Sequence, residues 1–391
     1  MAMLIKIRVT AVIVILVMTG CCNHKGNFEL ESDELAAFKV EFTKETVTGT
    51  PEKRLELSDS YQFSINIYAL NHNEETIPHY NGFFELSPQY GKIVSPIRGE
   101  VKNGKTENFL VEMRYLLEKE KIAVHELVVD NDKTTKSSIV YRKSGKLGVS
   151  KTIYPPIATI YEIQSNNSGT KGFNSKYHNR NLTLKGKKMV VTAVVEGGFF
   201  LTDIEEHLYN SIYLYTYSTP YIDDPDTGYS LPVGSLIEEV NGSVFEFFGF
   251  TEMSFPTFKP KYAFIDGKNK IVVDSSLIPK PLDITKILSL DEEMEKRESS
   301  IVTVKNVTVE WFNEHDSSFS EYGQFPLKTE SDSLILAQTL FSAPFFNPIK
   351  ERDRKSKQKF NITGILKQHT SARPTTWIVV PRGSYDIEII E

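Results

Sequence analysis

The sequence predicts an all-β protein, and three observations carry that reading. Composition is weighted toward residues that fit a pleated, half-buried surface: 18 Tyr and 24 Phe bring the aromatic share to 11%, within a hydrophobic content of 40%, and Val, Ile and Thr are abundant. Apolar residues recur at every second position over short stretches, the period of a strand with one buried face. Turn-forming residues punctuate those stretches at short intervals. A chain of 391 residues can hold two or three cores, and its apolar content excludes disorder as the general state.

The first element is not a strand. Lys6 and Arg8 precede an apolar run from Val9 to Met18, broken only by Thr10, and Met18-Thr19-Gly20-Cys21 closes it. At roughly ten residues the run is too short to span a bilayer, which needs about 20. A basic start, a short apolar segment and small residues before a cut describe a cleaved export signal. Residues 1–20 resemble a bacterial lipoprotein signal peptide, with Met18 standing where Leu is usual. The resemblance implies that Cys21 becomes the first residue of the mature chain and carries two or three acyl chains, palmitate among them. One acyl chain binds a membrane only marginally, whereas two or more hold durably. Cys22 rather than Asp follows, which under the family's sorting rule implies an outer membrane. The expected location is the bacterial cell envelope, with the membrane as partner through Cys21.

Both cysteines sit at this signal, so the mature body has no disulfide and depends on apolar burial. The formal charge of -6 becomes about -8 once Lys6 and Arg8 leave with the signal. That balance makes nucleic acid an unexpected partner. After a polar tether, residues 21–35, Phe63, Ile65 and Ile67 are spaced by two, as are Phe109, Val111 and Met113. Asn81-Gly82, Gly91 and Asn103-Gly104 supply turns. Residues 36–155 therefore read as a β-sandwich. The stretches Tyr80 to Ser87, Gly91-Lys92-Ile93 and Asn103-Gly104-Lys105 resemble the immunoglobulin-like domains of bacterial surface proteins, without a Cys-Trp-Cys framework.

Tyr154-Pro155-Pro156 and Ser165-Asn166-Asn167-Ser168-Gly169 mark a domain break. Met189 to Val195 then reads as a β-branched strand, Phe199-Phe200-Leu201-Thr202-Asp203 as a second and Ile212 to Tyr217 as a third. Pro232-Val233-Gly234 leads to Val240-Asn241-Gly242-Ser243-Val244 and on to Phe250-Thr251-Glu252-Met253. This order resembles the OB-like domains of secreted bacterial proteins, including those beside extracellular nuclease domains. Asn241-Gly242 fits a two-residue hairpin turn, whereas the resemblance makes Gly242 a kink at a barrel corner. A second copy runs from Ile301 to Val307 through Ile362-Thr363-Gly364-Ile365-Leu366 to Trp377-Ile378-Val379-Val380 and Asp386-Ile387. The resemblance places one OB-like barrel over residues 175–275 and another over 285–391. Between them, Ile284 to Arg297 reads as a connecting helix with Glu293, Glu295 and Lys296 on its solvated side.

Residues that carry chemistry are few. There is no Gly-x-Ser-x-Gly, no His-Glu-x-x-His and no phosphate-cradling glycine loop, and the eight histidines are scattered. His315-Asp316-Ser317 contains triad residue types, but triad members meet in space rather than in sequence, and a surface loop accounts for it. The nuclease domains that accompany OB-like modules elsewhere are missing from this sequence, so neither an enzyme nor a cofactor is expected. Asp223, Asp224 and Asp226, with Gly228, offer oxygens to Ca²⁺, yet the twelfth position from Asp224 is Ser235 rather than Glu. They read as a solvated acidic turn, with a metal site as the alternative. Tyr213, Tyr215 and Tyr217 alternate on one presumed strand and share one face. That face either covers the barrel or stacks sugars or bases, with Arg180, Lys185, Lys187 and Lys188 nearby to meet a polyanion. A second basic cluster, Lys350 to Lys359, reads as a loop between strands. The expected role is a non-catalytic envelope module that binds or scaffolds a protein or glycan. The alternative is a binder of polyanions or single-stranded nucleic acid.

Overall fold

The structure, a computed structural model, describes residues 34–390 apart from 45–47, 118, 132–138, 166–174, 223–227, 229, 266, 339–345, 354–357 and 370–375. Cys21 and the acidic residues Asp223, Asp224 and Asp226 lie outside the described residues. The regular structure described is mostly strand, with only short helices. No described helix is long and apolar enough to cross a membrane.

The first unit contains β1 (Ala37–Phe42), β2 (Tyr61–Leu70), β3 (Gly82–Pro88), β4 (Lys92–Ser95), β5 (Arg98–Val101), β6 (Lys105–Arg114), β7 (Ile122–Val129) and β8 (Tyr141–Val149). They form two four-stranded sheets in the orders β1-β2-β6-β4 and β5-β3-β7-β8. The sheets bury one another's alternate residues. Phe63, Ile65 and Ile67 on β2 join Val111 and Met113 on β6, Phe84 and Leu86 on β3, and Ile122 and Val124 on β7 in one core. Period-two alternation thus marks the core face as expected. Asn103 and Gly104 both take positive φ, 51° and 78°, the geometry of a tight hairpin turn. Asn81-Gly82 makes no turn of its own. Gly82 opens β3, and the Asn81 side chain accepts from the Asn103 N–H at 3.0 Å.

The second unit begins earlier than residue 175. β9 (Ile157–Ala158) and α1 (Ile160–Gln164), capped by a reciprocal Thr159–Glu162 box, already belong to it. β10 (Arg180–Leu184), β11 (Met189–Val195), β12 (Gly198–Asp203), β13 (Ser211–Tyr215), β14 (Leu236–Phe247) and β15 (Phe250–Pro260) follow, with the hairpin β16 (Tyr262–Ile265) and β17 (Lys268–Ile271). Five strands close a barrel in the order β11-β12-β13-β15-β14, with β14 returning to β11 through Met189–Ile237 and Val190–Leu236. The pair β13–β15 is parallel.

The third unit contains β18 (Leu282–Asp283), α2 (Asp291–Glu295), β19 (Ile301–Val309), α3 (Ser317–Ser320), β20 (Gln324–Lys328), β21 (Leu334–Gln338), α4 (Pro348–Asp353), β22 (Lys359–His369), β23 (Thr376–Val380) and β24 (Ile387–Ile390). Its ring runs β19-β20-β21-β23-β22 and closes between β19 and β22, again with the third and fifth strands in chain order, here β21 and β23, parallel. The internal repeat seen in sequence is therefore a repeat of pairing order. The connecting segment is less helical than its composition predicts. Only Asp291–Glu295 forms a helix, preceded by turns, while Ile284, Leu288 and Met294 plug the second core.

Gly242 and Gly364 occupy matching central positions on the fourth ring strand of each barrel, but they differ in crowding. Gly242 lies within continuous β14, at a register shift between Asn241 and Ser243, so it sits inside a strand and not in a hairpin turn. A Cβ there would meet Met253 and Ser254 at 3.3 Å, whereas one on Gly364 would lie 2.4 Å from the Val380 carbonyl oxygen. Backbone cannot yield as a flexible side chain does. Gly364→Ala should therefore cost about 1–3 kcal/mol, more than Gly242→Ala. Chemical-denaturation midpoints of the two variants check the ranking.

Candidate ligand-binding surface

The tyrosine stripe does not share one open face. β13 ends at Tyr215, so Tyr217 lies beyond the strand. Tyr213 is only 8% exposed because the second barrel covers it. It packs with Phe200, Phe250, Ile301 and Ile365, and the Lys367 ammonium lies 5.8 Å from its ring centre. What remains open is a different group of three rings. Half-buried Tyr215 contacts Tyr217 and Phe255 edge-on, with centroids 6.2 and 5.7 Å apart. Tyr217 is 75% exposed and Phe255 67%.

A bulge puts Phe255 there. Asn241 pairs with Thr257 and Ser243 with Ser254, so Phe255-Pro256 together oppose Gly242. Two residues against one bends the strand and re-aims a side chain, and a proline inside a sheet is at home in such a bulge. Phe255 takes φ 48° and Tyr217 φ 68°, the left-handed region that bulky residues rarely enter. Among the described residues three other aromatics share it: Tyr115, Tyr209 and Phe248. Each of those sits at a contact between units. The Tyr115 carbonyl accepts from Asn181, the Tyr209 N–H donates to the Lys296 carbonyl, and Phe248 stacks on His369. Tyr217 and Phe255 have no such role, so local strain of about 1–3 kcal/mol each is stored in two rings that face water. Sequence reasoning missed Phe255. Its signal was Pro256, two residues past Ser254 in an otherwise strand-like run.

The basic residues expected beside the stripe are largely compensated. Lys185 pairs with Glu239 at 2.8 Å, Lys187 with Glu206 at 2.8 Å, and Arg180 with Asp59. In the second basic cluster, Arg352 donates to the Phe312 carbonyl and stacks on its ring, and Lys359 bonds Glu330 at 2.5 Å. Arg354, Lys355 and Lys357 lie outside the described residues. His315 is exposed, and Asp316 caps α3 by accepting from the Ser318 N–H at 3.0 Å, so both belong to a surface turn. No group of three or more His, Cys, Asp or Glu among the described residues is placed to hold a metal ion.

The junction of the two barrels holds a feature that composition concealed. Glu246 and Glu252 from the first barrel, Glu295 on α2 and Glu298 just after it are gathered around the docking contact. Glu295, Glu298 and Glu252 are buried, and Glu246 Oε2 is enclosed with no hydrogen-bond partner among the described residues. Glu298 accepts from the Thr251 N–H at 3.1 Å. Glu246 accepts from the Ser175 N–H at 2.7 Å and the Thr251 hydroxyl at 2.9 Å. Glu295 was expected on the solvated side with Glu293 and Lys296. Residues two apart on a helix face nearly opposite ways, so burying Met294 and Glu295 leaves Glu293 free to pair with Lys296 and Arg297 at the surface.

Burial, then neighbouring carboxylates, push Glu246 up to about 7 and Glu295 up to about 9. The same causes raise Glu298 well above the usual range, and burial raises Glu252. Burial pushes the facing Lys367 down. An unfolded glutamate ionises near 4.5, so the folded chain holds extra protons between that value and about 9. Stability should fall as pH rises through this window, by up to about 1.4 kcal/mol per pH unit for each group that differs. Lys367 acts in the opposite sense at the alkaline end. Glu295→Gln keeps the shape and removes the ionisation, and should flatten the decline. Denaturation midpoints of both proteins from about pH 5 to about pH 9 check this, and equal slopes would acquit the carboxylates.

Comparison with protein-family models and with curated proteins finds no match. Function therefore rests on the surface itself, whose distinguishing feature is the open aromatic group Tyr215, Tyr217 and Phe255.

Proposed function

We propose that the chain is a non-catalytic, lipid-anchored envelope lipoprotein whose first barrel binds a glycan. The single observation that carries the reading is the aromatic group Tyr215, Tyr217 and Phe255, open to solvent on locally strained backbone. Flat apolar rings suit the C–H faces of sugars. Three rings are a small surface beside the roughly 800 Å² that each side of a stable protein–protein interface buries, which favours a glycan over a protein partner. The strand order 1-2-3-5-4 with a parallel third and fifth member supports the OB-like reading of both barrels. Two facing four-stranded sheets support the immunoglobulin-like reading of the first unit. The alternative, a single-stranded nucleic-acid binder, loses support where Tyr213 is covered and Lys185 and Lys187 are paired with acids.

Two measurements test this. Cys21→Ala should abolish palmitate labelling and move the protein from the membrane pellet to the soluble fraction. An unlabelled wild type would remove the anchor. Tyr217→Ala with Phe255→Ala should weaken oligosaccharide binding about tenfold or more while leaving thermal stability within a few degrees. Undiminished binding by that variant would remove the aromatic face as the site.

A further inference from the structure

A cleft of about 440 Å³ separates the sandwich from the first barrel, within the range of roughly 300–1,000 Å³ typical of ligand sites, which favour domain interfaces. Lys119 and Lys121 line it from the sandwich, and Lys259, Thr257 and Asn241 from the barrel. The sandwich lysines are positioned by the residue between them. Glu120 is fully buried and accepts the N–H groups of Gln89, Tyr90, Gly91 and Lys121 at 2.5 to 3.0 Å. Glu120 thus anchors the backbone on which Lys119 and Lys121 stand, and both line the cleft. Neither has a carboxylate partner among the described residues. Lys259 bonds Glu238 at 2.6 Å. Among the described residues the one acid lining the cleft, Glu239, is already paired: burial opposes its ionisation, but bonds from Lys185 and Asn241 hold its carboxyl below the usual range. A chain with an excess of acids thus presents at this hollow two lysines, Lys119 and Lys121, without a carboxylate partner among the described residues.

The cleft and the aromatic face are ends of one surface. Exposed Phe255, Thr257 and Lys259 follow one another along β15, spanning roughly 13 Å of strand. We propose that the chain recognises an acidic oligosaccharide, whose rings stack on Tyr217 and Phe255 while its carboxylates enter the cleft between Lys119, Lys121 and Lys259. This rests on the glycan reading above and specifies the ligand's charge. A short row of cations in a small hollow fits one or two carboxylates rather than a continuous phosphate backbone.

Calorimetric titration of the full mature protein tests it, using tetrasaccharides of galacturonate, hyaluronan and alginate and the methyl ester of each. Acidic forms should bind at least about tenfold more tightly than their esters, and should weaken as salt is raised. The triple variant Lys119→Gln, Lys121→Gln, Lys259→Gln should lose that advantage and keep the ester affinity. All three side chains lie at the surface, and an unchanged melting curve confirms the fold. Equal binding of acids and esters, or acid affinity untouched by the triple variant, would overturn the inference and leave the glycan reading standing. Failure of the wild type to bind any acid or ester would overturn both. A single-stranded oligonucleotide bound more tightly than every saccharide, and released by the same variant, would overturn the glycan assignment in favour of nucleic acid.

Discussion

The open surface of the first barrel depends on a local mismatch, two residues of β15 against the single Gly242 of β14. A strand that pairs with β10 at Leu182–Gly242 and with β11 at Met189–Ile237 must bend between those contacts. A residue without a side chain, packed against Met253 and Ser254, permits the bend. At Gly242 β15 carries one residue more than β14, and an opposite shift at Glu238 restores the register. Pro256 takes part of that excess because it has no N–H to lose from the ladder. Phe255 takes the rest by entering left-handed backbone and turning its ring to water. The aromatic surface is a consequence of a register shift inside the barrel's own β14–β15 ladder, so it is as fixed as that ladder.

Docking of the second barrel sets what remains of that surface. The contact joins Ala193, Phe200, Tyr213 and Phe250 to Ile301 and Ile365. It is keyed by hydrogen bonds from the Tyr209 N–H to the Lys296 carbonyl at 2.8 Å and between the Ser300 and Ser211 hydroxyls at 3.1 Å. Tyr213 is consumed in the process. The buried glutamates follow from the same closure, because charged carboxylates packed this tightly away from water would be costly, and the cheaper state is the protonated one. Neutral carboxyls hydrogen-bond without repelling one another. The chain buries acids differently elsewhere: Glu120 and Asp203 each collect several backbone N–H groups, Asp203 from Lys187 and Lys188 at 2.7 and 3.1 Å. Those acids organise loops, whereas burial at the junction favours the protonated form of its acids.

Much of the fold was legible because the signals were local. Alternation at Phe63-Ile65-Ile67 and at Phe109-Val111-Met113 needs only a pleat to become a core face, and Asn103-Gly104 needs only its own φ values to become a turn. The repeat of Ile301 to Leu366 on Met189 to Val244 was visible because two barrels impose one pattern of apolar positions. What failed was whatever depends on a neighbour far away in sequence. Nothing local to Tyr213 says that Ile301 and Ile365 will cover it, and nothing in Glu295 says that its helix will turn that side inward. Tyr217 was misplaced by one strand end. Phe255 was overlooked although Pro256 announced a break in the ladder, because a bulge shows its meaning only when the opposing Gly242 is known.

A composite surface between two units is useful only if the units are held. The sandwich and the first barrel are joined by a short, stiff connection through Tyr154-Pro155-Pro156, tied on both sides by the Leu55 N–H to the Tyr154 carbonyl at 3.1 Å and the Thr183 N–H to the Pro156 carbonyl at 2.9 Å. Asn181 reaches across to the Tyr115 carbonyl at 2.9 Å, and Arg180 pairs with Asp59. These contacts flank β10, the strand that also pairs with β14 at the bulge. The lysines fixed by Glu120 and the rings fixed by Gly242 are therefore referred to a common strand. That shared reference holds the cleft and the aromatic face in one arrangement, which would lower the ordering cost of binding the proposed extended ligand.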